Sequence, residues 1–148
     1  METREDQSSL RICLIEDSPD HVLMIRRAIR EFDAQNAVHV VQDGEEALAW
    51  LRSDEPVPDL ILLDINLPGY SGFDVLRELK SDERLKMIPV VMLTSSSMSA
   101  DVARAYELGA SGYITKPSYF QELRAVLGNT LLYWSAMRRA IQHGTNGS

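Results

Sequence analysis

Cysteine is almost missing from this chain: Cys13 stands alone among 148 residues, which excludes an internal disulfide. It lies inside the apolar run Leu10–Ile15, so it reads as a buried structural thiol, and a lone thiol fits a reducing compartment. Long hydrophobic runs are missing too. Stretches such as Pro89–Leu93 fall far short of the roughly 20 apolar residues needed to span a bilayer. The opening METREDQSSL is polar and charged, the reverse of a secretory leader. Basic residues are in deficit, 15 Lys and Arg against 22 Asp and Glu, and the net charge of −7 would repel a phosphate backbone. A soluble cytoplasmic protein, with neither nucleic acid nor membrane as a partner, is expected. Repeats and low-complexity tracts do not interrupt the chain, and its length suits one domain with a substantial core. Residues 9–128 are expected to form that core, with a C-terminal helix over about 118–142 and frayed tails at 1–8 and 143–148.

What the chain does contain is a regular alternation. Leu10–Ile15, Val38–Gln42, Leu60–Leu63, Pro89–Leu93 and Ser111–Thr115 are short apolar runs that read as strands. Amphipathic segments separate them. Ser18-Pro19-Asp20 supplies an N-cap, a proline for the first turn and an early acid, ahead of Val22, Ile25, Ile29 and Phe32 at helical spacing. Gly44 and Gly72 open the second and third helices, Ser99 is expected to cap a fourth that ends at Gly109, and Ser118 to cap the last. Strands that alternate with helices require crossovers, hence a parallel sheet. Strands apolar on both faces imply a sheet covered on both sides. The fold class is therefore α/β, a doubly wound (βα)5 unit.

In such a sheet, chemistry gathers at the carboxyl ends of the strands. Strand one ends in Glu16-Asp17, strand three in Asp64, strand four in Thr94-Ser95 and strand five in Lys116-Pro117. Strand two ends in Gln42-Asp43-Gly44, which reads as a turn and helix cap. Three carboxylates at one edge repel one another, by roughly 4 kcal/mol per pair at 4 Å and an effective dielectric of 20. Something cationic must offset that. A hard divalent ion suits an all-oxygen site, Mg²⁺ best of all, and Lys116 adds a fixed positive charge. A metal and a lysine around one aspartate are the equipment for phosphoryl transfer, with Asp64 as the attacking carboxylate and the Thr94 hydroxyl as a donor to phosphoryl oxygen. His21 and His39 lack metal-ligand spacing and read as surface residues.

Taken together, these motifs resemble the response regulator receiver domains of two-component signalling. The likeness covers about residues 9 to 128 and rests on Glu16-Asp17, on Asp64 with Pro68-Gly69 and Gly72, on Thr94 and on Lys116-Pro117. Thirty residues separate Asp64 from Thr94 and twenty-two separate Thr94 from Lys116, spacings that this family keeps. The resemblance implies a flavodoxin-like five-stranded sheet in the order 2-1-3-4-5. It implies a metal, Mg²⁺ with Mn²⁺ or Ca²⁺ able to substitute, held by Glu16, Asp17, Asp64 and the backbone carbonyl of Asn66. Asp64 would take the phosphoryl group from a histidine kinase, Lys116 would contact it through a cis Lys116–Pro117 bond, and Thr94 and Tyr113 would switch together. That switch would remodel the face made by helix four, strand five and helix five. Ser95, expected with Lys116 and Thr94 to contact the phosphoryl group, stands where the family commonly has alanine, and Asn66 and Ser96 lie at positions that tune the acyl phosphate's lifetime. Tyr113 also has a plainer reading, as a strand aromatic with no function.

Two other classes compete. A haloacid-dehalogenase type of phosphatase also uses a strand-end aspartate, but it needs a second Asp two residues on, where this chain has Asn66. A flavodoxin-like binding module would want Gly, Ser or Thr after strand one, where Glu16-Asp17 would repel a phosphate without a metal.

After Pro117 only 31 residues remain, enough for one helix and a tail but not for a DNA-binding output domain. That helix carries a second apolar side, including the run Leu131-Leu132-Tyr133-Trp134, which suggests a homodimer contact, the alternative being that it folds back over its own domain. The long final helix is similar to that of the small regulators that partner phytochrome kinases, which would make a light-regulated histidine kinase the partner.

Overall fold

A computed structural model describes residues 9–147. Five strands alternate with five helices: β1 (Arg11–Ile15), α1 (Pro19–Phe32), β2 (Ala37–Val41), α2 (Gly44–Leu51), β3 (Leu60–Leu63), α3 (Gly72–Ser81), β4 (Val90–Thr94), α4 (Ser99–Glu107), β5 (Gly112–Thr115) and α5 (Phe120–Gly147). The strands form one sheet in the order β2-β1-β3-β4-β5, every neighbouring pair parallel. The expected α/β architecture and strand order are what the chain adopts.

Side chains alternate across a strand, and here both sets are apolar. Cys13, Ile15, Ile61, Leu63, Val90 and Met92 pack on one face under α2, α3 and α4. Ile12, Leu14, Leu60, Leu62, Val91 and Leu93 pack on the other, under α1 and α5. Burial pushes the Cys13 thiol up to about 12, which keeps it protonated and unreactive.

Local chemistry sets the helix starts. Ser18 accepts the His21 N–H ahead of Pro19, Asp43 accepts the Glu46 N–H, and Ser71 and Asp74 cap one another reciprocally. Ser99 differs from expectation. It is the first residue of α4, and Met98 precedes it with no side-chain cap. Gly109 ends that helix at φ +105°, a left-handed conformation that glycine adopts freely.

Helix α5 runs on to Gly147, beyond the expected end near 142, a length of about 42 Å. Its inward line is Leu123, Leu127 and Leu131, all fully buried, with Phe120 and Trp134 packed beside them. Leu131 is therefore a core residue and not a dimer contact: the i+4 step from Leu127 turns it onto the sheet. Leu132 and Tyr133 are exposed, and Trp134 is half-buried against its own domain. The tail expected at 1–8, and Ser148, lie outside the described residues. Among the described residues, no helix is long and apolar enough to cross a membrane.

Candidate functional site

The hydrogen-bond ladder continues past the strand ends and brings the predicted residues together. Glu16 N–H donates to Val41 O at 3.0 Å, Asp64 N–H to Ile15 O at 3.1 Å, and Lys116 N–H to Thr94 O at 2.7 Å. Each bond fixes a residue one step beyond its strand, where the side chains leave the sheet edge together. Gly72 closes the loop after β3, its N–H donating to Ile65 O at 2.8 Å. A side chain there is impossible without movement, since a Cβ would collide with the Asp64 carbonyl oxygen. The glycine lets α3 start directly behind Asp64.

Glu16, Asp17 and Asp64 converge, each offering a carboxylate oxygen within 4.8 Å of the others. Glu16 is 1% exposed and Asp64 6%, whereas Asp17 is open to solvent. Lys116 supplies the counter-charge. Its Nζ donates to Glu16 Oε1 at 2.6 Å and to Asp64 Oδ2 at 3.1 Å, and its side chain is 9% exposed. The other Asp64 oxygen accepts the Asn66 N–H at 3.3 Å. Three carboxylates against one ammonium leave two negative charges over, in a pocket of hard oxygen donors. That residue set fits a divalent cation of the Mg²⁺ class.

Thr94 lies fully buried at the end of β4, and its hydroxyl has no hydrogen-bond partner among the described residues. Such a group ordinarily finds one, so an acceptor at this edge would be met by a waiting donor. Ser95 is exposed and lines a cleft of about 590 Å³ together with His21, Lys116 and Pro117. Tyr113 points its hydroxyl at the Ser96 carbonyl, donating at 2.9 Å, while Ser96 Oγ donates to Asp101 at 2.6 Å. Burial, opposed by that hydrogen bond, pushes the Tyr113 phenol above its ordinary value.

One expectation is corrected. No cis peptide bond occurs among the described residues, so Lys116–Pro117 is trans. An X–Pro bond favours trans by about 0.5–1 kcal/mol, and the Lys116 side chain reaches both carboxylates from that form. His39 lies exposed at the surface, as expected, and the His21 side chain is 41% exposed, yet each has a partner. His39 stacks on Trp50 with ring centroids 3.9 Å apart. His21 places Nδ1 2.9 Å from Lys116 Nζ. Metal-ligand spacing could not reveal that contact. The available signal was that His21 opens the helix following Glu16-Asp17, at the same sheet edge.

A doubly wound sheet with an acidic triad, a bridging lysine and an unpaired hydroxyl at its carboxyl edge defines a phosphoryl-accepting signalling fold. The match to known sequences agrees with that class: residues 12–128 fit the response regulator receiver domain, and the chain belongs to that family. The probable methanogenesis regulatory protein FilR2 of Methanothrix harundinacea (strain 6Ac) is 34% identical over 140 residues, 92% of this chain and 90% of that one. Among solved structures, the phosphorylated cyanobacterial phytochrome response regulator RcpA is 37% identical, with a TM-score of 0.81 over 85% of this chain and 94% of its own. The Mn²⁺-bound form of response regulator Rcp1 is 34% identical, with a TM-score of 0.78 over 84% and 94%. This chain is thus a two-component receiver domain, and neither the phosphatase nor the flavodoxin-like module is favoured.

Proposed function

We propose that Asp64 accepts a phosphoryl group from the phosphohistidine of a sensor histidine kinase. The observation that carries this reading is the Lys116 ammonium bridging Glu16 and Asp64, beside the unpaired Thr94 hydroxyl. An Asp64 oxygen attacks phosphorus and the phosphorus–nitrogen bond of the donor breaks. The imidazole leaves with the bonding pair and recovers a proton from solvent. Lys116 turns an N–H to the incoming phosphoryl oxygens, Thr94 donates its free O–H to another, and positioning with charge neutralisation supplies the catalysis. Mg²⁺, held by Glu16, Asp17, Asp64 and the Asn66 carbonyl, would neutralise charge developing on the phosphoryl group, with Mn²⁺ or Ca²⁺ able to replace it.

The output follows from which contacts the phosphate rewards. Thr94 is drawn toward it, Tyr113 leaves the Ser96 carbonyl, and the α4-β5-α5 face repacks, a population shift driven by differential contacts. The protein would work in the cytoplasm as a signalling contact or a phosphate sink, turning over nothing but its own acyl phosphate. A phytochrome-type kinase is the proposed partner, supported by the similarity to RcpA. A second copy of the chain is proposed to dock on α5, where Tyr133, Met137 and Ile141 are exposed at i+4 steps with Leu132 alongside. Sedimentation at micromolar concentration is expected to give a dimer, and a monomer with and without phosphorylation would remove that part.

The central test uses acetyl phosphate and Mg²⁺. One added phosphoryl mass is expected, removed by hydroxylamine and abolished in Asp64→Asn. Labelling that persists in that variant would overturn the assignment.

A further inference from the structure

An ammonium group has three N–H bonds, and all three of Lys116's have acceptors: Glu16 Oε1 at 2.6 Å, His21 Nδ1 at 2.9 Å and Asp64 Oδ2 at 3.1 Å. Two of these are carboxylates of the acidic triad, the same groups that offer oxygens to a cation. The third, His21, is not one of them. Its ring nitrogen must meet the ammonium with a lone pair, because a protonated Nδ1 would set a second cation and a second donor against the first. Glu16 Oε2 stands 3.7 Å from that nitrogen, too far for a hydrogen bond. The short contact is with Lys116, and Nδ1 is placed to serve as its acceptor.

We infer that His21 is a positioning residue for Lys116, holding the ammonium over Asp64 by the one hydrogen bond that a cation at the carboxylates does not contest. The inference rests on reading Asp64 as the phosphoacceptor. The fold prepares the contact. Ser18 accepts the His21 backbone N–H, which fixes the residue in the first turn of α1. The ring then forms part of the wall of the cleft that Lys116 and Ser95 also line. Once metal and phosphate engage the carboxylates, Lys116 must let go of an Asp64 oxygen to reach a phosphoryl oxygen. A third acceptor outside the acidic triad keeps the nitrogen in range during that exchange. Without it, the ammonium is left to the closer anion, Glu16.

The test compares His21→Leu, which removes the acceptor but keeps bulk, with His21→Asn, whose amide oxygen stands where Nδ1 does. In metal-free protein, the Lys116 ammonium signal in proton–nitrogen NMR, assigned by its loss in Lys116→Met, is expected in the wild type and in His21→Asn but not in His21→Leu. With phosphoramidate as donor at saturating Mg²⁺, His21→Leu should label about tenfold more slowly, the scale of one lost charged hydrogen bond. His21→Asn should recover most of the rate, and the Mg²⁺ concentration for half-maximal labelling should stay the same in all three. Labelling of His21→Leu at the wild-type rate overturns the inference. So does His21→Asn being as slow as His21→Leu with the Mg²⁺ requirement shifted, which would mark general damage to the site. A wild-type chain that takes no label would topple the phosphoacceptor reading and this inference with it, and the unlabelled wild type distinguishes that failure from the others.

Discussion

The two ends of the sheet each hold a lysine withdrawn from water, and they hold it in opposite ways. At the carboxyl edge, Lys116 is wedged between Glu16, Asp64 and His21, so its partners are groups with chemistry of their own. At the amino edge, Lys80 at the end of α3 donates to two backbone carbonyls, Lys86 O at 3.0 Å and Ile88 O at 2.9 Å, and has no carboxylate partner among the described residues. Those two carbonyls carry no charge, do not titrate and offer no nucleophile. Lys80 therefore ties the loop before β4 to α3. Lys116 balances an excess of negative charge that is already too great for it, and that imbalance readies the edge for a cation and a phosphoryl group. Burial alone does not mark a functional lysine; the nature of its acceptors does.

The sharpest way to break this comparison is to remove each ammonium while keeping its length. Lys116→Met strands two buried carboxylates, and truncating one partner of such a pair costs about 3–5 kcal/mol. Urea unfolding in metal-free buffer is expected to show that loss. Mg²⁺ should then return more stability to Lys116→Met than to the wild type, because a cation bound only by the folded state stabilises it by mass action. Labelling by acetyl phosphate should fall sharply as well. A variant as stable as the wild type without metal would mean that Lys116 is not the counter-charge.

How far the sequence led follows the same line. Residues whose role depends on the sheet were legible: β3 spans Leu60–Leu63 as its apolar run predicts, and Glu16, Asp17, Asp64, Thr94 and Lys116 sit at the strand ends that the alternating pattern assigns them. What was hidden depends on contacts between distant residues. His21 and Lys116 meet across 95 positions, and no spacing rule connects them. Leu131 reads as part of a four-residue apolar patch until the helix phase, set by Leu123 and Leu127, turns it inward. Trp50 and His39 stack their rings, which neither residue announces. The Lys116–Pro117 bond was expected from resemblance, and nothing in the residues themselves required the cis form.

The smaller effect belongs to the other lysine. Lys80→Met leaves two partly solvated carbonyls without their donor, a loss of about 1–2 kcal/mol, and labelling of Asp64 should be unchanged because the site lies at the far end of the sheet. The pH dependence carries the finer test. Burial holds the Lys80 ammonium below its ordinary value, so between that lowered value and the ordinary one near 10.4 the unfolded chain binds more protons than the folded one. Stability from this group is then complete above the ordinary value and declines as pH falls through the lowered one. Urea unfolding of wild type and Lys80→Met should show the gap between them widening as pH rises toward the ordinary lysine value. A gap that narrows over that range would mean the two carbonyls favour the charged form more than burial disfavours it. Lys80 would then be held, like Lys116, mainly by its charge, and the contrast between the two ends of the sheet would disappear.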